Sequence, residues 1–153
     1  MPIDYIVSSL PTLAFDQAAP LSRAKFEERC GGEETIRQIL DESGWQDIET
    51  QLKNAIAEAR GGEAYKRPAS GCSLYWKNRT LACFQEKDVA KREEMLDSVW
   101  WDAAGELTPS ASPLGKGALA TYAIRLKIAL KREKISKDKG NEAFDRLTAE
   151  TKR

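Results

Sequence analysis

No histidine occurs among the 153 residues. Its absence removes the Ser-His-Asp and Cys-His nucleophilic arrangements and the commonest metal ligand together. Acid–base work by carboxylates would remain, but several acidic residues fall in adjacent pairs such as Glu27-Glu28, Glu33-Glu34 and Glu93-Glu94. Neighbours on a helix diverge by about 100°, so such pairs belong to outer faces or first turns, where solvent and the helix dipole accommodate them. Cys30, Cys72 and Cys83 are widely spaced and odd in number, which indicates neither a disulfide framework nor a zinc site but reduced thiols. The reading is of a protein that is not an enzyme, with no catalytic residue, cofactor or metal site.

Two short patterns resemble catalytic or nucleotide-binding motifs and lack their context. Ser22-Arg23-Ala24-Lys25 and Ser136-Lys137-Asp138-Lys139 match S-x-x-K, without the SDN or KTG motifs that make a penicillin-recognising site. Both stand where a cap precedes a charged helix. Leu114-Gly115-Lys116-Gly117 misses the G-x-x-x-x-G-K-S/T spacing and the preceding strand of a phosphate loop.

Recognition chemistry is better represented. The stretch 125–139 carries Arg125, Lys127, Lys131, Arg132, Lys134 and Lys137, interrupted by Glu133 and Asp138. Such a run serves either as the wet face of an amphipathic helix or as a contact for an acidic protein surface, nucleic acid or anionic lipid. Trp100 and Trp101 are consecutive, so on a helix the two rings diverge and cannot share one narrow core, which offers one of them as an exposed anchor for a partner. The candidate partner-binding residues are therefore Arg125, Lys127, Lys131, Arg132, Lys134, Trp100 and Trp101.

The elements that must position these side chains are helical. Ile3, Tyr5 and Val7 alternate, which fits a short strand or a helical turn, and Pro11 to Pro20 frames an ordered loop pinned by Leu13 and Phe15. Ser22 is a cap for a helix stopped at Gly31-Gly32, and a second runs from Glu33 to Ser43-Gly44. Trp45, Ile48, Leu52, Ala55, Ile56 and Ala59 form an apolar stripe at helical spacing. After Pro68 and Gly71, apolar positions from Leu74 to Trp100 describe one long helix or two broken near Asp88. Residues 105–117, with Pro109, Pro113 and serines, read as a flexible connection. A helix over about 117–133 follows, and Ser136 or Asp138 caps a last short helix burying Phe144 and Leu147, making a C-terminal helical hairpin. The expected fold is all-α: a single helical domain, 1–153, of about five to seven helices.

Hydrophobic residues make up 41% and charged residues 31% of the chain, an ordinary globular balance. The zero net charge conceals a division: residues 1–110 carry 13 basic and 19 acidic side chains, residues 111–153 carry 11 and 5. That places +6 on the tail and −6 on the rest, for neutralisation within the fold or for an acidic partner. The start lacks the basic and apolar regions of a secretion signal, and no apolar run spans a bilayer. The expected place is the cytoplasm, with no membrane insertion.

The opening Tyr5-Ile6-Val7-Ser8-Ser9-Leu10-Pro11-Thr12-Leu13-Ala14-Phe15-Asp16, with Pro20-Leu21-Ser22, resembles the start of an uncharacterised bacterial family of helical proteins encoded beside vacuolar-type (V/A-type) ATPase genes. Ala120-Thr121-Tyr122-Ala123-Ile124-Arg125-Leu126-Lys127-Ile128, with Lys139-Gly140 and Phe144, is similar to that family's end, and Trp76-Lys77-Asn78-Arg79 through Leu81-Ala82 to its central helix. The resemblance implies a non-catalytic component or assembly factor of a V/A-type rotary ATPase, similar to a central-stalk helical subunit though shorter, peripheral to the inner membrane through partner subunits. The alternative from the residues themselves is a small nucleic-acid or anionic-surface binder acting through the basic tail.

Overall fold

The computed structural model describes residues 2–62 and 74–151, with side chains as far as 139. The fold is all-α, with seven helices and no strand among the described residues. Pro68, Gly71 and Cys72 lie outside the described residues.

The first helix, α1 (Ile3–Ser9), replaces the strand alternative. Ile3, Ile6, Val7 and Leu10 recur at intervals of three and four, so one helical face gathers them, and Ile6 is buried in the core. A strand would have used the 3-5-7 alternation, but Tyr5 is exposed. Ser22 caps α2 (Arg23–Arg29), its Oγ accepting the Lys25 N–H at 3.2 Å. Gly44, at φ 84°, ends α3 (Glu33–Ser43) and begins α4 (Trp45–Ala59). A side chain rarely adopts that left-handed conformation, which fits a glycine at the joint.

The apolar region after Leu74 is two helices, α5 (Leu74–Cys83) and α6 (Val89–Ala104). The break falls at Asp88, whose carboxylate accepts the Ala90 and Lys91 N–H groups at 2.9 and 3.4 Å and caps α6. A 3-10 turn, Gly105–Leu107, follows directly, and successive tight turns close at Ser112 and Gly115. The connection over 105–117 is tied to the body by buried Leu107 and by the side chain of Thr121.

The last element, α7, is one helix, Lys116–Thr151, where a hairpin was expected. Ser136 and Asp138 have the chemistry of caps, but nothing before them stops the preceding helix. The first interruption in composition is Gly140, and one interior glycine costs only about 1 kcal/mol. At 1.5 Å per residue α7 is roughly 54 Å long. Between Leu119 and Ala129 it is enclosed on nearly every side: Leu119, Ala120, Thr121, Ala123, Ile124, Leu126, Ile128 and Ala129 are all buried. This part is the hub of the core, contacted by α1, α3, α6 and the 3-10 turn. Gly117 allows the close approach that starts it, because a Cβ there would collide with the Leu107 carbonyl oxygen.

Candidate functional site: the exit of the long helix

The candidate binding residues separate once they are placed. Arg125 is half-buried against α6, where its Nε donates to the Trp101 carbonyl oxygen at 3.0 Å and its guanidinium lies 5.3 Å from the Trp101 ring centroid. Burial pushes its pKa below the usual arginine value, opposed by the charge of Asp102. The tryptophans diverge as helical geometry requires, but each finds its own aromatic partner. Trp101 is buried, edge-on to Phe15 at 5.6 Å, and half-buried Trp100 is edge-on to Trp45 at 5.9 Å. Neither stands out as an exposed anchor, so the expectation of one is corrected: two diverging rings are accommodated by packing from two sides.

Further along α7, Lys131 Nζ pairs with Asp97 at 3.0 Å, and the Asp97 side chain is only 13% exposed. Arg132 reaches Glu94 at 3.8 Å and Asp97 at 3.9 Å, and its guanidinium lies 3.9 Å from the centroid of Phe15. Glu133 accepts the backbone N–H of Ala19 at 3.4 Å. Arg125, Lys131 and Arg132 are thus spent within the fold. Lys127 and Lys134 are exposed, and neither forms an ion pair among the described residues. Beyond Glu133 every described side chain, 134–139, is exposed, Ile135 among them at 42%.

Phe15, Ala19, Glu94 and Asp97 are the site residues that sequence reasoning missed. They come from the segment between α1 and α2 and from α6, and the Ala19–Glu133 contact joins residues 114 positions apart. No local pattern signals such a contact. The segment is held along α7 at a second point by the Tyr122 hydroxyl, which donates to the Pro11 carbonyl oxygen at 2.7 Å.

Among the described residues a cleft and two buried thiols remain. A cleft of about 420 Å³ opens between α1, α2, α3 and the start of α7, floored by Ile6, Ile39 and Leu119 and rimmed by Arg29, Glu42 and Lys116. The last two form an ion pair at 3.8 Å. The Cys30 thiol borders the cleft, but burial pushes its pKa up to about 11, so it is protonated at neutral pH and a poor nucleophile. Burial raises the Cys83 thiol also. Among the described residues no three His, Cys, Asp or Glu side chains group to hold a metal ion, and no helix is long and apolar enough to cross a membrane.

In comparisons with family models, with curated proteins and with solved structures, nothing matches this chain.

Proposed function

We propose that the chain is a non-catalytic protein-binding component of a larger assembly, and that the outgoing half of α7 is its docking arm. The observation that carries this reading is the double character of α7. The same unbroken helix is the buried hub of the body at Leu119–Ala129 and an exposed surface at 134–139. Whatever binds the outer half is coupled through a stiff helix to every element packed on the inner half. Lys134, Lys137 and Lys139 make that surface cationic, with Ile135 among them as an apolar contact.

V/A-type ATPase subunits are the partners to test first, because the two ends of the chain resemble a family encoded beside those genes. A mechanical role in a stalk or its assembly suits a chain without histidine whose described thiols are held protonated by burial. A cytoplasmic place, peripheral to the inner membrane through its partners, belongs to the same reading. The nucleic-acid or anionic-surface alternative is weakened, since Arg125, Lys131 and Arg132 already have partners inside the fold.

The test is capture with the tagged full chain from its native cells at low and high salt, with mass spectrometry of the proteins and a stain for nucleic acid. Recovery of ATPase subunits at both salts supports the reading. Their absence sinks it, and nucleic acid released steeply by salt would favour the alternative.

A further inference from the structure

Lys131, Arg132 and Glu133 are consecutive, so they leave α7 in three directions spread over roughly 200° of its circumference. Each is gripped from the body. α6 holds Lys131 and Arg132 through Asp97, and Glu94 adds to the hold on Arg132. The segment between α1 and α2 covers Arg132 with the Phe15 ring and meets Glu133 with the Ala19 N–H. Phe15 is itself seated on Trp101 of α6, so the two sides of the grip are joined to each other.

We infer that Phe15, Asp97 and Glu133 are positioning residues that form a collar fixing the direction in which α7 leaves the body. A helix held on one side only would pivot about that contact. Contacts spread around the shaft oppose tilting in more than one plane, so the outer half points one way relative to the core. The collar lies at the boundary between enclosed and exposed surface, with Leu130 partly buried before it and Lys134 exposed after it. Three of the cations in the basic run, Lys131, Arg132 and half-buried Arg125, therefore serve the body, while Lys127 and Lys134 remain for others. The inference rests on the docking-arm reading for its purpose, but the rigidity itself needs no partner.

The experiment is a pulsed EPR distance measurement on the full chain carrying Cys72→Ser, with spin labels at Lys53→Cys on α4 and Lys139→Cys on α7, both exposed. Cys30 and Cys83 are buried and stay unlabelled. The expected result is one narrow distance distribution, broadened at least twofold by Asp97→Asn with Phe15→Leu, at unchanged helical content by circular dichroism. If that double variant unfolds, Asp97→Asn alone is measured, and it too must broaden the distribution. A distribution already broad in the parent overturns the collar, as does one that no folded variant changes. A narrow distribution without capture of ATPase subunits would remove the functional reading and leave the collar. Capture with a broad distribution would do the reverse.

Discussion

The hydroxyl oxygen of Thr121 lies 2.8 Å from the carbonyl oxygen of Ala104, joining the hub helix α7 to the last turn of α6 from a buried position. The same oxygen is 2.7 Å from Thr108 Oγ1 and 3.1 Å from the Gly117 carbonyl oxygen. One hydroxyl therefore ties α6, the connection and the start of α7 together. Replacing it with a methyl group leaves buried polar groups without their partner, so Thr121→Val is expected to cost about 1–3 kcal/mol. Urea unfolding of the variant beside the parent measures this, and a change below a few tenths of a kcal/mol would show that the hydroxyl network contributes nothing net.

Gly117→Ala should be at least as damaging, for a different reason. The added Cβ meets the backbone oxygen of Leu107, not the end of a flexible side chain, so either the 3-10 turn or the start of α7 must move. Overpacking of this kind costs roughly 1–3 kcal/mol, occasionally more. A melting temperature within a degree of the parent would contradict the close approach.

These two sites mark the boundary of what the sequence makes legible. Ser22 and Gly44 announce helix ends by local chemistry, and the structure uses both in those roles, whereas near Asp88 the spacing left one helix or two open and the structure has two. The apolar spacing from Leu119 to Ala129 likewise marks a helix. Ser136 and Asp138 carry the same cap chemistry without the same outcome, because a cap acts only where the preceding helix has stopped. The collar was illegible for a separate reason: Phe15 with Arg132 and Asp97 with Lys131 are pairs made by tertiary packing. The basic run thus reads identically whether its charges face solvent, a partner or the protein's own carboxylates.

Alkaline pH should lower the stability of the fold. Burial pushes the Tyr122 hydroxyl up to about 12 and the Cys30 thiol up to about 11, from ordinary values of 10 and 9. Both groups are neutral when protonated, so a raised folded-state pKa means that the folded chain holds the proton more tightly than the unfolded one. The associated stability is complete below pH 9. It declines as pH rises from 9 through 12, first through Cys30 and then through Tyr122. Melting temperature against pH should fall across that window, and Tyr122→Phe with Cys30→Ala should flatten the fall while costing stability at neutral pH through the lost Pro11 contact. A parallel decline in parent and variant would assign the alkaline loss to other groups.

Lys127→Glu with Lys134→Glu separates surface from scaffold. Both side chains are exposed without an ion-pair partner among the described residues, so the double reversal should leave stability within about 0.5 kcal/mol per site, as is usual for such positions. Arg125→Glu, in contrast, places an anion beside the Trp101 ring and carbonyl where a cation now lies and donates. Losing a charge-assisted hydrogen bond of this kind costs about 1.5–3 kcal/mol, so that variant is expected to unfold at lower urea than the parent. If the arm docks a partner through its cations, the Lys127 and Lys134 reversal weakens capture at least tenfold in a protein as stable as the parent. Capture that survives this change would remove Lys127 and Lys134 from the docking surface, and move it toward Lys137 and Lys139, Ile135 or the cleft floored by Ile39 and Leu119.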